Sequence, residues 1–446
     1  MTREREALTR ALGELDQEGI DRTTVGASVI LVHTAAVALH GAGGTWSDCR
    51  DTAREWLNRH GASIAVLLDP DAHAILRNHL DRLSEFAADY LTSEPLAPPV
   101  AIVDTPHTPR TPLHVVLFEA WPHATHEAWP VMVDAIEASA RHGMQGEVVA
   151  AHRSWLVDGR INRAIRPAPS FDRLIESPVD PTTPASVLFI AGGPDEQRLH
   201  AELPSLLPDG CTMVNPPEPA AIADDKWAMY ELWRNAGVPT PETTLVSRGQ
   251  TPDGGTDFPV VVKPRHGTEG RLVTVCTNPT EVAKAVRAIH EYDDAVIQPF
   301  HNSLRYDGNA AVIRLHVSTK PGETRTVESG YVHVAAGGMS IASAGRGGIC
   351  RPVDEKKLQV ISTEGPRSLA SRELDVVLSV AIHAVNMLDL RLRIAGVDVV
   401  IDADTDGNVV PLVLDVNPRP AGLAHSRFLT PHEPGEPGVS VNMWFT

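Results

Sequence analysis

Asp398 and Asp415 constrain this chain more than any other pair of residues. They interrupt two apolar, β-rich runs, Gly396-Val397-Asp398-Val399-Val400-Ile401 and Leu412-Val413-Leu414-Asp415-Val416-Asn417-Pro418-Arg419-Pro420, separated by Asp404-Thr405-Asp406-Gly407-Asn408. An Asp-Gly pair between such runs is a strong hairpin signal, usually a type I′ turn. With Asp406 and Gly407 as a two-residue loop, Asp398 faces Asp415, and Asn417 projects on the same face because strand side chains alternate. Directly opposed carboxylates repel one another. A hard cation removes the conflict, and Mg²⁺ takes oxygen ligands together with substrate phosphates. Asp398, Asp415 and Asn417 are therefore the candidate metal ligands. A solvent-facing hairpin with incidental acids is the competing reading, and it fits poorly because both acids sit inside apolar strands.

The chain of 446 residues is too long for one simple core and implies two to four domains. Its formal net charge of −18 argues against a general nucleic-acid or anionic-membrane surface. Four cysteines, Cys49, Cys211, Cys276 and Cys350, are far apart and form no CxxC pair, against a zinc or disulfide framework. The charged start Met-Thr-Arg-Glu-Arg-Glu lacks the apolar core of a signal peptide, and apolar runs are only strand-length. A cytoplasmic protein with neither nucleic-acid nor membrane partners is expected.

Residues 1 to about 95 read as largely helical, with helix-like apolar spacing at Leu80, Leu83, Phe86, Ala87, Tyr90 and Leu91. A Pro-rich stretch from Pro95 to Pro112 marks a boundary. Strand-like His114-Val115-Val116-Leu117-Phe118, a helix around residues 135–140, and strand-like runs at 146–151 and 186–191 then alternate, which predicts a parallel α/β layer. Further on, Asp224 or Asp225 is set to cap a helix that starts in the Asp225-Lys226-Trp227 run, and Gly237 to end it. Asn278-Pro279-Thr280-Glu281 predicts another helix start, with Pro at N1 and Glu at N3. Strands are expected at 258–264, 272–276, 294–300, 311–317 and 330–334, and a long helix at 373–389. The resulting boundaries are 1–110, 111–222, 223–305 and 306–446.

Between the strands at 258–264 and 272–276 lies Arg265-His266-Gly267-Thr268-Glu269-Gly270-Arg271. A lysine at a strand end followed by glycines is a phosphate-holding arrangement, because glycines let backbone N–H groups approach anionic oxygens. It is not a Walker A motif, and alone it reads equally well as a plain hairpin. The order of parts adds weight: Asp225-Lys226, Lys263-Pro264-x-x-Gly267-x-x-Gly270, Ile297-Gln298-Pro299-Phe300, Ile313-Arg314-Leu315-His316-Val317, Arg346-Gly347-Gly348, Gly396-Val397-Asp398, and Leu414-Asp415-Val416-Asn417-Pro418-Arg419-Pro420. This order resembles the ATP-grasp superfamily, in its carboxylate–amine (peptide) ligase branch. The resemblance spans about 185 to 425, and its most specific piece is the closing Asp-x-Asn-Pro-Arg.

The resemblance implies an α/β protein with an ATP-grasp fold, two α+β lobes gripping ATP, preceded by an α/β pre-ATP-grasp domain and the helical N-terminal extension. It implies that Lys226 and Lys263 contact ATP phosphates, that Gly267 and Gly270 belong to a lid over them, and that Gln298, Pro299 and Phe300 form the hinge at the adenine edge. Asp398, Asp415 and Asn417 would hold one or two Mg²⁺, with Mn²⁺ as a substitute. Arg314 and Arg419 would face the transferred phosphoryl group or acyl phosphate, under a loop carrying Arg346. Charge stabilisation of this kind is the main device in phosphoryl transfer. The chain departs from the family in three places. Asp415 stands where many members have Glu. Asp307 is the one carboxylate available for the ribose, several residues late. The glycine loop is short and carries Arg265, His266 and Glu269, of which Arg265 and His266 are either phosphate contacts or solvated loop residues. His316 and His333 read as core or sheet-face residues, and Trp227 and Trp233 as packing residues.

The implied function is an ATP-dependent ligase that joins a small-molecule or peptide carboxylate to an amine through an acyl phosphate, releasing ADP and phosphate. Peptide or secondary-metabolite biosynthesis is the implied setting, and natural-product peptide ligases of the pheganomycin type share the feature of an unusual N-terminal extension. A homodimer is left open. The rivals are another ATP-grasp chemistry, kinase-like or carboxylating, and a non-catalytic ATP-binding protein.

Overall fold

The computed structural model describes residues 100–118, 145–168, 174–190, 196–252, 257–267, 270–319, 324–335, 339–343, 349–362, 365–404 and 408–419. The expected N-terminal helices, the expected helix at 135–140, the expected turn residues Asp406 and Gly407, and Arg346-Gly347-Gly348 lie outside the described residues. The chain divides into two compact units, Met1–Pro217 with Arg419–Thr446, and Glu218–Pro418.

In the first unit the strands are β1 (Val100–Ile102), β2 (Leu113–Phe118), β3 (Glu147–His152), β4 (Leu156–Val157), β5 (Arg160–Pro167), β6 (Leu174–Thr182), β7 (Pro184–Ile190) and β8 (Thr212–Val214), with helix α1 (Glu196–Leu206). The sheet order is β1-β6-β5-β3-β2-β7-β8, with β4 on β5. Every residue of β2 is buried, as expected of a central strand covered on both faces. β2 runs parallel to β3 and β7, as the strand–helix alternation predicts, and β7 runs parallel to β8, a strand that sequence reading passes over. β5 runs antiparallel to β3 and β6, so the sheet is mixed and not purely parallel. These two strands, RINRAIRP and LIESPVDPT, lack the apolar run that signals a fully buried strand, and sequence reading passes over them.

In the second unit, helix α2 (Pro217–Asp224) begins at the unit boundary and is followed by α3 (Lys226–Ala236). Of the two candidate caps it is Asp225 that caps α3, its carboxylate accepting from the N–H groups of Trp227 and Ala228, and Gly237 ends the helix at φ 73° in the left-handed region. A four-stranded antiparallel sheet follows, built from β9 (Thr244–Val246), β10 (Val260–Pro264), β11 (Thr274–Cys276) and, after α4 (Pro279–Ile289), β12 (Ala295–Pro299), in the order β11-β10-β12-β9. Asn278 caps α4 by accepting from Glu281 N–H at 3.0 Å. The apolar face of α4, Val282, Val286 and Ile289, packs on Val260, Val262 and Ile297.

The larger sheet of this unit contains β13 (Leu304–Tyr306), β14 (Asn309–Ser318), β15 (Thr326–Val334), β16 (Ile349–Arg351), β17 (Leu358–Ser362), β18 (Gly365–Ser368), β19 (Ile394–Ala403) and β20 (Val409–Asn417). β14 pairs with β13, β15 and β19, and β19 pairs with β20. Helix α5 (Ser371–Asn386) covers it through Val377, Ala381 and Val385, and Trp233 of α3 joins the same core. Trp233 donates its indole N–H to Ala384 O at 3.2 Å, so its packing role holds with the polar end satisfied.

The β19–β20 hairpin pairs Asp398 with Asp415 and Gly396 with Asn417. Its loop is longer than the expected two residues, because Ala403 pairs with Val409 and Asp404 N–H donates to Asn408 O at 3.0 Å. A bulge offsets the slip: Asp398 pairs with Asp415 while Val399 pairs with Val413, leaving Leu414 as the extra residue. The loop after α3 also holds β20 at this point, Val413 N–H donating to Pro239 O and Thr240 Oγ1 to Val413 O, each at 2.9 Å. The acids therefore face each other through a bulge, not through an even ladder.

Candidate active site

A cavity of about 200 Å³ opens in the second unit. Eleven of the residues singled out in the sequence line it: Lys226, Lys263, Gly267, Gly270, Gln298, Pro299, Phe300, Arg314, Asp398, Asp415 and Asn417. They come from the start of α3, the end of β10, the loop after it, the end of β12, and the large-sheet strands β14, β19 and β20.

One transverse row of the large sheet organises the charges. Tyr331 pairs with Arg314, Arg314 with Asp398, and Asp398 with Asp415, across four neighbouring strands. Cross-strand partners share a face, so their side chains meet. The Arg314 guanidinium grips Asp398 with both arms, Nη2 donating to Oδ2 at 2.7 Å and Nε to Oδ1. Burial works against the Arg314 charge, but Asp398 more than offsets it and the pKa of Arg314 is raised. Lys226 Nζ stands 3.7 Å from Asp415 Oδ2 and donates to Gly267 O at 2.7 Å. Lys263 is 7% exposed. Burial pushes its pKa down to about 8, against the attraction of Asp415 and Asp398 and with the repulsion of Lys226. The carboxylate repulsion that calls for a cation is thus already offset by the protein's own cations. A metal expectation then rests on donor chemistry: two carboxylates and the Asn417 amide are all hard oxygen donors, which fits Mg²⁺. Among the described residues, no group of three His, Cys, Asp or Glu side chains gathers as a metal site.

The segment Gln298-Pro299-Phe300, expected to be a hinge, is anchored. Gln298 is buried and donates Nε2 to Thr243 Oγ1 at 2.8 Å, and Phe300 N–H donates to Pro259 O at 3.0 Å. His301 and Ser303 both hold the Asp402 carboxylate, at 2.7 and 2.8 Å, tying the segment after Phe300 to β19.

Two singled-out residues stand elsewhere. Asp307 is absent from the cavity lining and has φ 48° in the β13–β14 turn before Gly308, with Lys357 Nζ 3.8 Å from its carboxylate. An Asp-Gly pair at positive φ is what a tight hairpin turn requires. Arg419 belongs to the first unit and is 5% exposed; its Nη1 lies 3.1 Å from His200 Nδ1 and its Nη2 3.5 Å from Glu196. Burial and the Arg419 cation lower the His200 pKa to about 4, so His200 stays neutral.

Sequence reading missed His333 as a cavity residue. It lines the cavity, is 8% exposed, and its pKa is lowered to about 3 by burial and then by the Arg314 cation. Strand parity carries the signal: Tyr331 and His333 lie two apart on β15, and Tyr331 pairs with Arg314. Arg265 differs from both expected roles, whereas His266 is the exposed loop residue that one of the two readings expected. Neither lines the cavity: Arg265 is ion-paired with Asp225 and Asp294, and His266 stands 3.1 Å from Asp293.

No family model matches the sequence. A D-alanine–D-alanine ligase of Halorhodospira halophila (strain DSM 244 / SL1) is 36% identical over 80 residues, 18% of this chain and 26% of the relative. A D-alanine–D-alanine ligase of Alcanivorax borkumensis (strain ATCC 700651 / DSM 11573 / NCIMB 13689 / SK2) is 32% identical over 88 residues, 20% of this chain and 28% of the relative. The chain spans about a quarter of the length of these curated relatives. Over these 80 to 88 residues the chain resembles D-alanine–D-alanine ligases. Among solved structures, the VanG D-Ala:D-Ser ligase of Enterococcus faecalis aligns at TM-score 0.48 and 11% identity, over 76% of this chain and 99% of its own. The L-amino acid ligase of Bacillus licheniformis aligns at TM-score 0.44 and 15% identity, over 71% of this chain and 69% of its own. No helix among the described residues is long and apolar enough to cross a membrane.

Proposed function

We propose that this chain is an ATP-dependent carboxylate–amine ligase that forms an amide or peptide bond through an acyl phosphate and releases ADP and phosphate. The observation that carries the reading is the convergence of Lys226, Lys263 and Arg314 with Asp398, Asp415 and Asn417 in one cavity beside Gly267 and Gly270. The local sequence matches to D-alanine–D-alanine ligases support it.

In this reading Lys226 and Lys263 hold ATP phosphates, and Arg314, fixed by Asp398, presents positive charge where negative charge develops. Asp398, Asp415 and Asn417 would hold Mg²⁺, which supplies charge neutralisation of the polyphosphate when bound. Arg346 is assigned to the acyl phosphate by motif order; Arg419, which motif order gives the same role, is instead buried beside His200 and Glu196 in the first unit and is left out of the proposed machinery. In this reading the four-stranded sheet and the larger sheet are the two lobes, for which 223–305 and 306–446 are the expected bounds, while the second unit itself ends at Pro418. The narrower assignment, a natural-product peptide ligase of the pheganomycin type, rests on the N-terminal extension alone.

Hydroxylamine tests the reaction class. It is expected to replace the amine and trap the activated acid as a hydroxamate, with ATP consumed only when an acid is present. Formation of a stable phosphate ester on a hydroxyl substrate, without hydroxamate, would replace the ligase assignment by a kinase.

A further inference from the structure

Arg265 sits at the entry to the glycine loop, yet its side chain is absent from the cavity lining. It turns instead to the N-cap of α3. Its Nε and Nη2 donate to the two oxygens of Asp225 at 2.8 and 2.6 Å, the fork-to-fork geometry of a strong arginine–carboxylate pair. The same Asp225 carboxylate accepts from Trp227 and Ala228 N–H and so fixes the first turn of α3. The backbone closes the link in the other direction, with Lys226 N–H donating to Arg265 O at 3.1 Å. Lys226 itself reaches Gly267 O with Nζ, two residues beyond Arg265. On the outer side Arg265 Nη1 donates to Asp294 at 3.3 Å, Arg265 N–H to Asp294 O at 2.9 Å, and His266 N–H to Asp293 at 2.7 Å.

We propose that Arg265 is a positioning residue for Lys226: by clamping the loop entry onto the cap of α3, it sets where the Lys226 ammonium stands in the cavity. The inference rests on the nucleotide-binding reading of the cavity. Its logic is geometric. The lysine is the first residue of α3, so its backbone moves with the cap, and its ammonium is tied to the loop that the clamp holds. A charge placed by a rigid pair meets a phosphate without first being ordered, which is where affinity is gained.

A double-mutant cycle tests it by calorimetry of ATP binding in the presence of Mg²⁺, with thermal melting alongside. Arg265→Ala is expected to weaken ATP about tenfold, the size of coupling found between residues in direct contact. In a Lys226→Ala background the same substitution is expected to cost less than about twofold, since there is no ammonium left to position. Asp225→Asn serves as the second variant. Asparagine caps a helix as well as aspartate but carries no charge for Arg265, so α3 is retained while the clamp weakens. Arg265→Lys should recover part of the loss, keeping the charge without the fork. Unchanged affinity in Arg265→Ala and Asp225→Asn overturns the inference. So does an equal loss with and without Lys226, which would make Arg265 a direct phosphate contact. A wild-type chain that binds no ATP overturns the proposed function itself, whereas a wild type that binds ATP with additive losses overturns the positioning role alone.

Discussion

Lys263 should make nucleotide binding depend on pH in a range where ATP itself does not titrate. Its folded pKa is lowered to about 8 from 10.5, first by burial. Such a depressed group costs stability below about 8, where the buried ammonium must be carried, and that cost vanishes above 10.5, where both states are neutral. The difference corresponds to about 3 kcal/mol in the free protein. A phosphate beside the ammonium offsets that cost and raises the pKa again. ATP binding then draws a proton onto Lys263, about half a proton at pH 8 and almost none below pH 7. Affinity should fall about tenfold between pH 7 and pH 9. Titration calorimetry in buffers of different ionisation enthalpy measures both quantities. Lys263→Arg keeps the charge and cannot lose its proton in this range, so it should flatten the profile and separate Lys263 from His266, whose pKa is raised by its hydrogen bond to Asp293. A wild-type affinity that stays flat from pH 7 to 9 would refute the placement of a phosphate against Lys263.

Asp398→Asn should destabilise the protein by about 3–5 kcal/mol in urea unfolding, because it strips the buried Arg314 of its paired charge. A gain in stability, as repulsion between Asp398 and Asp415 alone would give, is the outcome that counts against the row of charges. Gly330→Ala should cost about 1–3 kcal/mol in the same assay, since an added Cβ would stand 2.9 Å from Arg314 O and 2.7 Å from a Leu315 methyl. Asp307→Asn should leave ATP affinity within about twofold by calorimetry, as Asn also tolerates the positive φ of that turn.

The local chemistry of this chain was legible in one dimension. Asp225 and Asn278 cap their helices and Gly237 ends one because caps are settled by residues within a turn of each other. The opposition of Asp398 and Asp415 was legible too, since two apolar runs around an Asp-Gly turn leave few registers. It held only because a bulge at Leu414 offset a longer loop, and the bulge coincides with hydrogen bonds that the Val413 backbone gives to Pro239 O and takes from the Thr240 hydroxyl, far away in sequence. Strands β5 and β6 escaped notice because their apolar signal is diluted by polar residues and proline. Tertiary structure alone decided who answers each charge. Arg314 lies 84 residues from Asp398, and Arg265 lies 40 from Asp225. Such pairs leave no local periodicity in the chain. They follow from which strands the sheet sets side by side and which loop the α3 cap meets, and the low dielectric of the packed interior then makes those partners, not the residue types alone, fix the charge state of the cavity.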